Sequence, residues 1–138
     1  MSKVHSTNYY NTFIEIAEDS KVNQGAIPPV KNDKQTVASL QFDLIYNNPY
    51  KYSSDEVLFD VFALRKAFGK HEIAEQKSFY FSKGQPCFRA SPLTKSYGWG
   101  VHSNADGKIA IFDSASTEYA AFLADDSVKK VKAMKNKR

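Results

Sequence analysis

Between Gln76 and Ala105 the sequence holds no acidic residue but carries Lys77, Lys83, Arg89 and Lys95 among Phe79, Tyr80, Phe81, Phe88, Tyr97 and Trp99. Ammonium and guanidinium groups can meet phosphate or carboxylate, and aromatic faces can stack on bases or rings. Gly84, Gly98 and Gly100 let a backbone come close to a bound molecule. Lys83, Arg89, Lys95, Tyr97 and Trp99 are therefore the expected ligand-binding residues, for an anionic or aromatic small molecule or nucleic acid. The competing reading makes the rings sheet core and the charges solvated edge.

Two further side chains in this stretch are reactive by type. Cys87 would be a nucleophile if His102, His71 or His5 lay beside it and favoured the thiolate. His102, after Gly-Trp-Gly-Val, would serve as a base if it reached a pocket. A single cysteine is more often a small buried apolar group. No known nucleophile signature surrounds Cys87, and His102 reads equally well as a hydrogen-bonded structural residue. Histidines at 5, 71 and 102 have no zinc-ligand spacing, and one cysteine cannot build a Cys-rich centre, so neither metal nor cofactor is expected. The glycines match neither a P-loop nor a dinucleotide fingerprint.

The elements that must position these groups follow from periodicity and stop signals. Thr12 to Ile16 alternates with period two and predicts a first strand. Residues 20–35, with Gly25, Pro28, Pro29, Asn32 and Asp33, read as a long loop with room to move. Val37, Leu40, Leu44 and Ile45 recur at helical spacing, with Phe42 off the main stripe, and Pro49 ends the helix. Ser53 and Glu56 form a capping box for a second helix with Val57, Leu58, Val61, Phe62, Leu64 and Phe68 on a broad apolar face. Gly69 suits its left-handed stop.

Lys77 to Ser82 is short and aromatic and reads as a strand. Gly98–Ser103 and Lys108–Asp113 flank Asn104-Ala105-Asp106-Gly107 and predict a hairpin. Ser114 or Ser116 caps a helix over Thr117 to Ala124 with Tyr119, Phe122 and Leu123 inward. Residues 128–138 fit a helix through Val128, Val131 and Met134, or an edge strand through Val131 and Ala133. The predicted class is α+β, a largely antiparallel sheet with two central helices and a later helix packed on one face.

The 138 residues suit one domain (1–138), and 42% hydrophobic with 25% charged content suits an ordinary packed core. No apolar run approaches a membrane span and the start, Met-Ser-Lys-Val-His, lacks a secretion signal, so a cytoplasmic protein with no membrane partner is expected. The net charge of +4 is uneven: residues 129–138 hold six of the 19 basic residues and no acid, while the rest carries 13 basic against 15 acidic. That basic tail reads as solvated chain or a polyanion contact.

The segments HSTNYYNTFIEIAED, NPYKYSSDEVLF, SKGQPCFRASPLTKSYGWGVHS and VKAMKNKR together resemble a family of small bacterial proteins known as a domain of unknown function. The resemblance spans nearly the whole chain and implies no activity, ligand or catalytic residue. Three functional readings stand at this point. One is a binding module using the 83–102 region; the second is a small enzyme using Cys87 or His102; the third is a structural or protein-interaction domain.

Overall fold

The computed structural model describes residues 4–137. In chain order the elements are β1 (Thr12–Glu15), α1 (Val37–Tyr46), α2 (Ser54–Lys66), α3 (Ile73–Tyr80), the one-turn α4 (Pro92–Lys95), β2 (Trp99–Ser103), β3 (Ile109–Asp113), α5 (Thr117–Ala124) and β4 (Lys129–Lys132). The strands form a single sheet in the order β3-β2-β1-β4, so the class is α+β. Among the described residues no helix is long and apolar enough to cross a membrane.

Pairs β1–β2 and β2–β3 are antiparallel, whereas β1–β4 is parallel. Strands β3 and β4 consequently run in the same direction, at opposite edges. Parallel strands cannot be joined by a tight turn, and their connection usually carries a helix across one face of the sheet. Helix α5 is that connection. It brings Tyr119 and Phe122 against Phe13, with Val128, Ile16 and Phe112 beside them. The opposite face packs Ile14, Val101, Ile109 and Ile111 against Phe42 and Ile45 of α1, Val57 and Val61 of α2 and Leu93 of α4. The helical cover thus divides between both faces, where the sequence pattern suggested one. The expected basic tail likewise begins as strand β4, and its end is tied back: the Asn136 and Lys137 N–H groups donate to the Asp19 carboxylate.

The best-specified helices obey local rules. Thr36 and Ser39 make a reciprocal capping box on α1, and Ser53 and Glu56 make another on α2. Phe42, expected off the stripe, is only 7% exposed because it packs edge-on to Trp99 with the centroids 5.2 Å apart. The left-handed stop of α2 falls on Ala67 (φ 56°, ψ 44°), not on Gly69, which at φ −72° opens a 3-10 turn over Lys70–Glu72.

Residues 77–80 are helical rather than extended. The run Lys77-Ser-Phe-Tyr-Phe-Ser82 has no β-branched residue, and it continues Ile73-Ala-Glu-Gln, which contains good helix formers. Its rings find partners without a sheet, since Tyr80 packs on Phe62 at 4.8 Å and on Phe59 at 5.6 Å. In α5 the cap is Ser116, and Leu123 is 40% exposed instead of inward. The hairpin forms as predicted, with Gly107 at φ 78°. Residues 20–35 do form an irregular connection, but it is anchored: Trp99 Nε1 donates to the Ala26 carbonyl and the Gly25 N–H to Asp113 Oδ1.

Three substitutions test this packing and the α2 stop by denaturant unfolding. A Cβ at Gly100 would lie 2.5 Å from Phe13 Cζ and 2.7 Å from Tyr119 Cε2, so Gly100→Ala is expected to cost about 1–3 kcal/mol. At Gly84 the nearest atom would be 3.9 Å away, and Gly84→Ala should stay within about 0.5 kcal/mol of the parent. Ala67→Gly should raise stability by roughly 1 kcal/mol through relief of the left-handed backbone. An unchanged or lowered stability for Ala67→Gly would show that the cap carries no strain.

Candidate functional site

The five expected binding residues are dispersed. Trp99 is part of the core at 7% exposure, and Tyr97 packs against that core partly buried. Lys83 lines one hollow with Phe79 and Tyr80, while Lys95 lines another with Asp19, Lys21 and Asn136. Arg89 Nε donates to the Lys132 carbonyl at 2.7 Å, tying the 3-10 turn over Phe88–Ala90 to the last strand.

The two reactive candidates are also apart in their surroundings. Cys87 is half-buried, and its Sγ lies 3.3 Å from the Tyr9 hydroxyl. Among the described residues no histidine hydrogen-bonds to it. Burial first, then the neighbouring Cys87, pushes the Tyr9 phenol up, with Arg89 opposing. His102 points from β2 toward α5, where its ring stacks on Phe122 at 4.2 Å and Nδ1 meets the Tyr50 hydroxyl at 2.7 Å. Two aromatic neighbours, Phe122 and Tyr50, the second also through its hydroxyl, hold this imidazole in place; Phe112 completes the cluster by packing on Phe122.

A built concavity instead lies between α1, α2 and α3. Leu58, Val61, Phe62, Arg65 and Lys66 follow the i, i+3, i+4, i+7, i+8 spacing of one helical stripe, and they line a groove of about 450 Å³. Val37 and Gln41, one turn apart on α1, form the facing wall, and Tyr80 of α3 closes it. That volume lies within the roughly 300–1,000 Å³ common for small-molecule sites. The stripe is apolar for about 6 Å along the axis and then ends in two cations, at 1.5 Å rise per residue. Neither Arg65 nor Lys66 makes an ion pair among the described residues. Their two full charges exceed the roughly half-unit negative charge of the helix C-terminus where they stand.

Gln41 adds an uncharged polar group to the α1 wall. The residue is 3% exposed, and its Oε1 accepts from Ser91 Oγ at 2.6 Å. The amide nitrogen has no protein partner among the described residues, and it is not sealed from solvent. Exchanging the amide oxygen and nitrogen would still leave one unpartnered atom, because Ser91 Oγ engages only one of them. Because that nitrogen reaches solvent, water can pair with it in the free protein, and an acceptor on a bound molecule would take that water's place.

The acid-free window contains Tyr80 but misses Gln41, Leu58, Phe62, Arg65 and Lys66. Two signals were present in the sequence: the α2 stripe turning from apolar to basic, and a glutamine midway between Ala38 and Ile45 on the inner side of α1. A larger hollow of about 600 Å³ flanks the other side of α2, lined by Leu44, Phe59, Leu64 and Phe68. Its only ionisable wall group is Asp60, whose carboxyl is pushed up chiefly by desolvation, then by the Glu56 charge.

Burial holds His102 below its ordinary pKa of 6.5, with Asp125 opposing. In the window below 6.5 the unfolded chain takes up a proton that the native imidazole refuses. Stability therefore falls as pH drops through 6.5 toward the depressed folded value, and is regained as pH rises above it. Melting temperatures from pH 7.5 to 5 should fall more steeply for the parent than for His102→Gln. Parallel curves would show that this imidazole titrates normally.

No curated protein and no solved structure matches this chain. A family model does, over residues 4–138. By that match, which spans nearly all of the sequence, the chain belongs to the family of unknown function DUF6157.

Proposed function

We propose that this protein is a bacterial, cytoplasmic binding module that takes a small amphipathic anion in the groove between α1, α2 and α3. The observation that carries the reading is the Gln41 amide nitrogen, which has no protein partner among the described residues, reaches solvent in an apolar wall and shares one groove with Arg65 and Lys66. An apolar or aromatic body would cover Val37, Leu58, Val61, Phe62 and Tyr80. An acceptor on it would meet the Gln41 amide, and its anionic end would reach the two cations. Such sites characteristically combine mostly apolar walls with a few placed polar groups.

The division of labour follows from magnitudes. Shielding the apolar walls contributes about 25 cal/mol per Å² removed from water. A hydrogen bond to a charged group adds about 1.5–3 kcal/mol, and it fixes orientation. The dispersal of Lys83, Arg89 and Lys95 into separate environments supports a small molecule over an extended polyanion. The half-buried single thiol is in keeping with a reducing compartment.

The test uses 1-anilinonaphthalene-8-sulfonate, an aromatic sulfonate of the proposed chemistry, followed by fluorescence titration. The parent should bind it saturably at one site. Arg65→Ala/Lys66→Ala, a change confined to exposed side chains, should weaken binding about tenfold, the effect of losing roughly 1.4 kcal/mol. Raising ionic strength about tenfold, from about 0.05 to about 0.5 M, should weaken the parent more than the variant through screening. Equal affinities for parent and variant at both salts would overturn the groove as the site.

A further inference from the structure

Resting on that groove, we infer that its ligand is an elongated dianion with an acidic group at each end of an apolar body. The groove does not stop at Tyr80. A second hollow of about 320 Å³ is lined by Phe62, Phe79, Tyr80, Lys83 and Gln85. It shares Phe62 and Tyr80 with the first, and those two rings lie 4.8 Å apart, so they form a common aromatic floor. A molecule lying across them reaches both hollows.

Each hollow carries its own cation beside an aromatic face. Lys66 Nζ is 5.9 Å from the Phe62 ring centroid at one end, and Lys83 Nζ is 4.7 Å from the Phe79 centroid at the other. An ammonium held over a ring keeps its charge while sitting close to apolar surface. Phe79 is 61% exposed, so the ring beneath Lys83 is open to a ligand. Lys83 makes no ion pair among the described residues.

The charge pattern is one-sided. Among the described residues no aspartate or glutamate lines either hollow. The Tyr80 phenol is pushed up by burial and, after it, by the Asp55 charge. The Asp55 carboxylate is already taken by the Ser6 hydroxyl, the Thr7 N–H and the Thr7 hydroxyl. Gln85 Nε2 donates to the Tyr80 carbonyl at 2.8 Å, and the His5 N–H donates to the Phe81 carbonyl at 2.8 Å. The first bond holds the segment bearing Lys83 against the end of α3, and the second ties the N-terminal segment to the same end.

Displacement of 1-anilinonaphthalene-8-sulfonate by straight-chain acids tests the inference. The probes are decanoate and the α,ω-diacids octanedioate, decanedioate and tetradecanedioate. At least one diacid should bind about tenfold more tightly than decanoate, beyond the roughly twofold that two equivalent ends give by counting. Lys83→Ala should abolish that advantage and leave decanoate unchanged. Arg65→Ala/Lys66→Ala should weaken both acid types.

If every diacid matches decanoate within twofold, or Lys83→Ala leaves the diacid advantage intact, the two-ended ligand is wrong. The groove itself would survive that result provided decanoate still loses affinity in Arg65→Ala/Lys66→Ala. If neither acid type displaces the probe and the double variant changes nothing, both the groove and the two-ended ligand fall.

Discussion

The structure depends on a strand that must be covered on both sides at once. Phe13 and Ile14 are neighbours in β1, point to opposite faces, and are 0% and 1% exposed. Either side chain left in water would forfeit about 1.5–3 kcal/mol of burial. Two separate layers must therefore exist. Helices α1, α2 and α4 supply one over Ile14, and α5 supplies the other over Phe13. The parallel placement of β4 beside β1 is part of the same solution, because it obliges the connection from β3 to cross the Phe13 face. Gly100 belongs to it as well: the missing side chain is where the Phe13 and Tyr119 rings meet the sheet.

Features encoded within a few residues could be read from the chain; features decided by distant partners could not. The capping box at Ser53 and Glu56, the hairpin turned at Gly107 and the first strand at Thr12 all depend on neighbours in sequence. The residues from Lys77 to Ser82 were misread because aromatic side chains serve a strand or a helix equally. What decided the matter was Phe62, fifteen or more positions away on α2, which offered Tyr80 a ring to pack against. The final segment is similar. Val131 and Ala133 fit a strand or a helix until Ile14 and Glu15 supply the ladder that Val131 and Lys132 join.

The candidate site was legible only as an inventory of types. Composition correctly marks residues 76–105 as free of acid, but it says nothing of direction. Trp99 turns inward to Phe42, Arg89 bonds a backbone carbonyl, and Lys83 alone of the five lies beside the groove's aromatic floor. The groove emerges because α2 presents more apolar width than its neighbours can cover. Val57 is sealed at 0% exposure and Val61 shows only an edge at 3%, whereas Leu58 and Phe62 on the flank stay half-buried. A stripe's width is visible in sequence; which half of it remains open depends on where α1 docks.

The walls of that groove differ in how firmly they are built, and this bears on selectivity. Helices α1 and α2 each have a reciprocal capping box and contribute several buried residues to the main core. The α2 N-terminus is further tied to the segment 6–8 through Asp55 and Ser54. Helix α3 has no side-chain cap and no fully buried residue, and few buried contacts are the mark of an element that opens at low free-energy cost. On the proposed reading the firm wall, with Gln41, Arg65 and Lys66, sets where one acidic end sits. The softer wall, with Phe79, Tyr80 and the adjoining Lys83, adjusts to the length of what lies between. Ordering α3 then draws on the binding free energy, so longer ligands that engage Lys83 have to offset a conformational cost that shorter ones avoid.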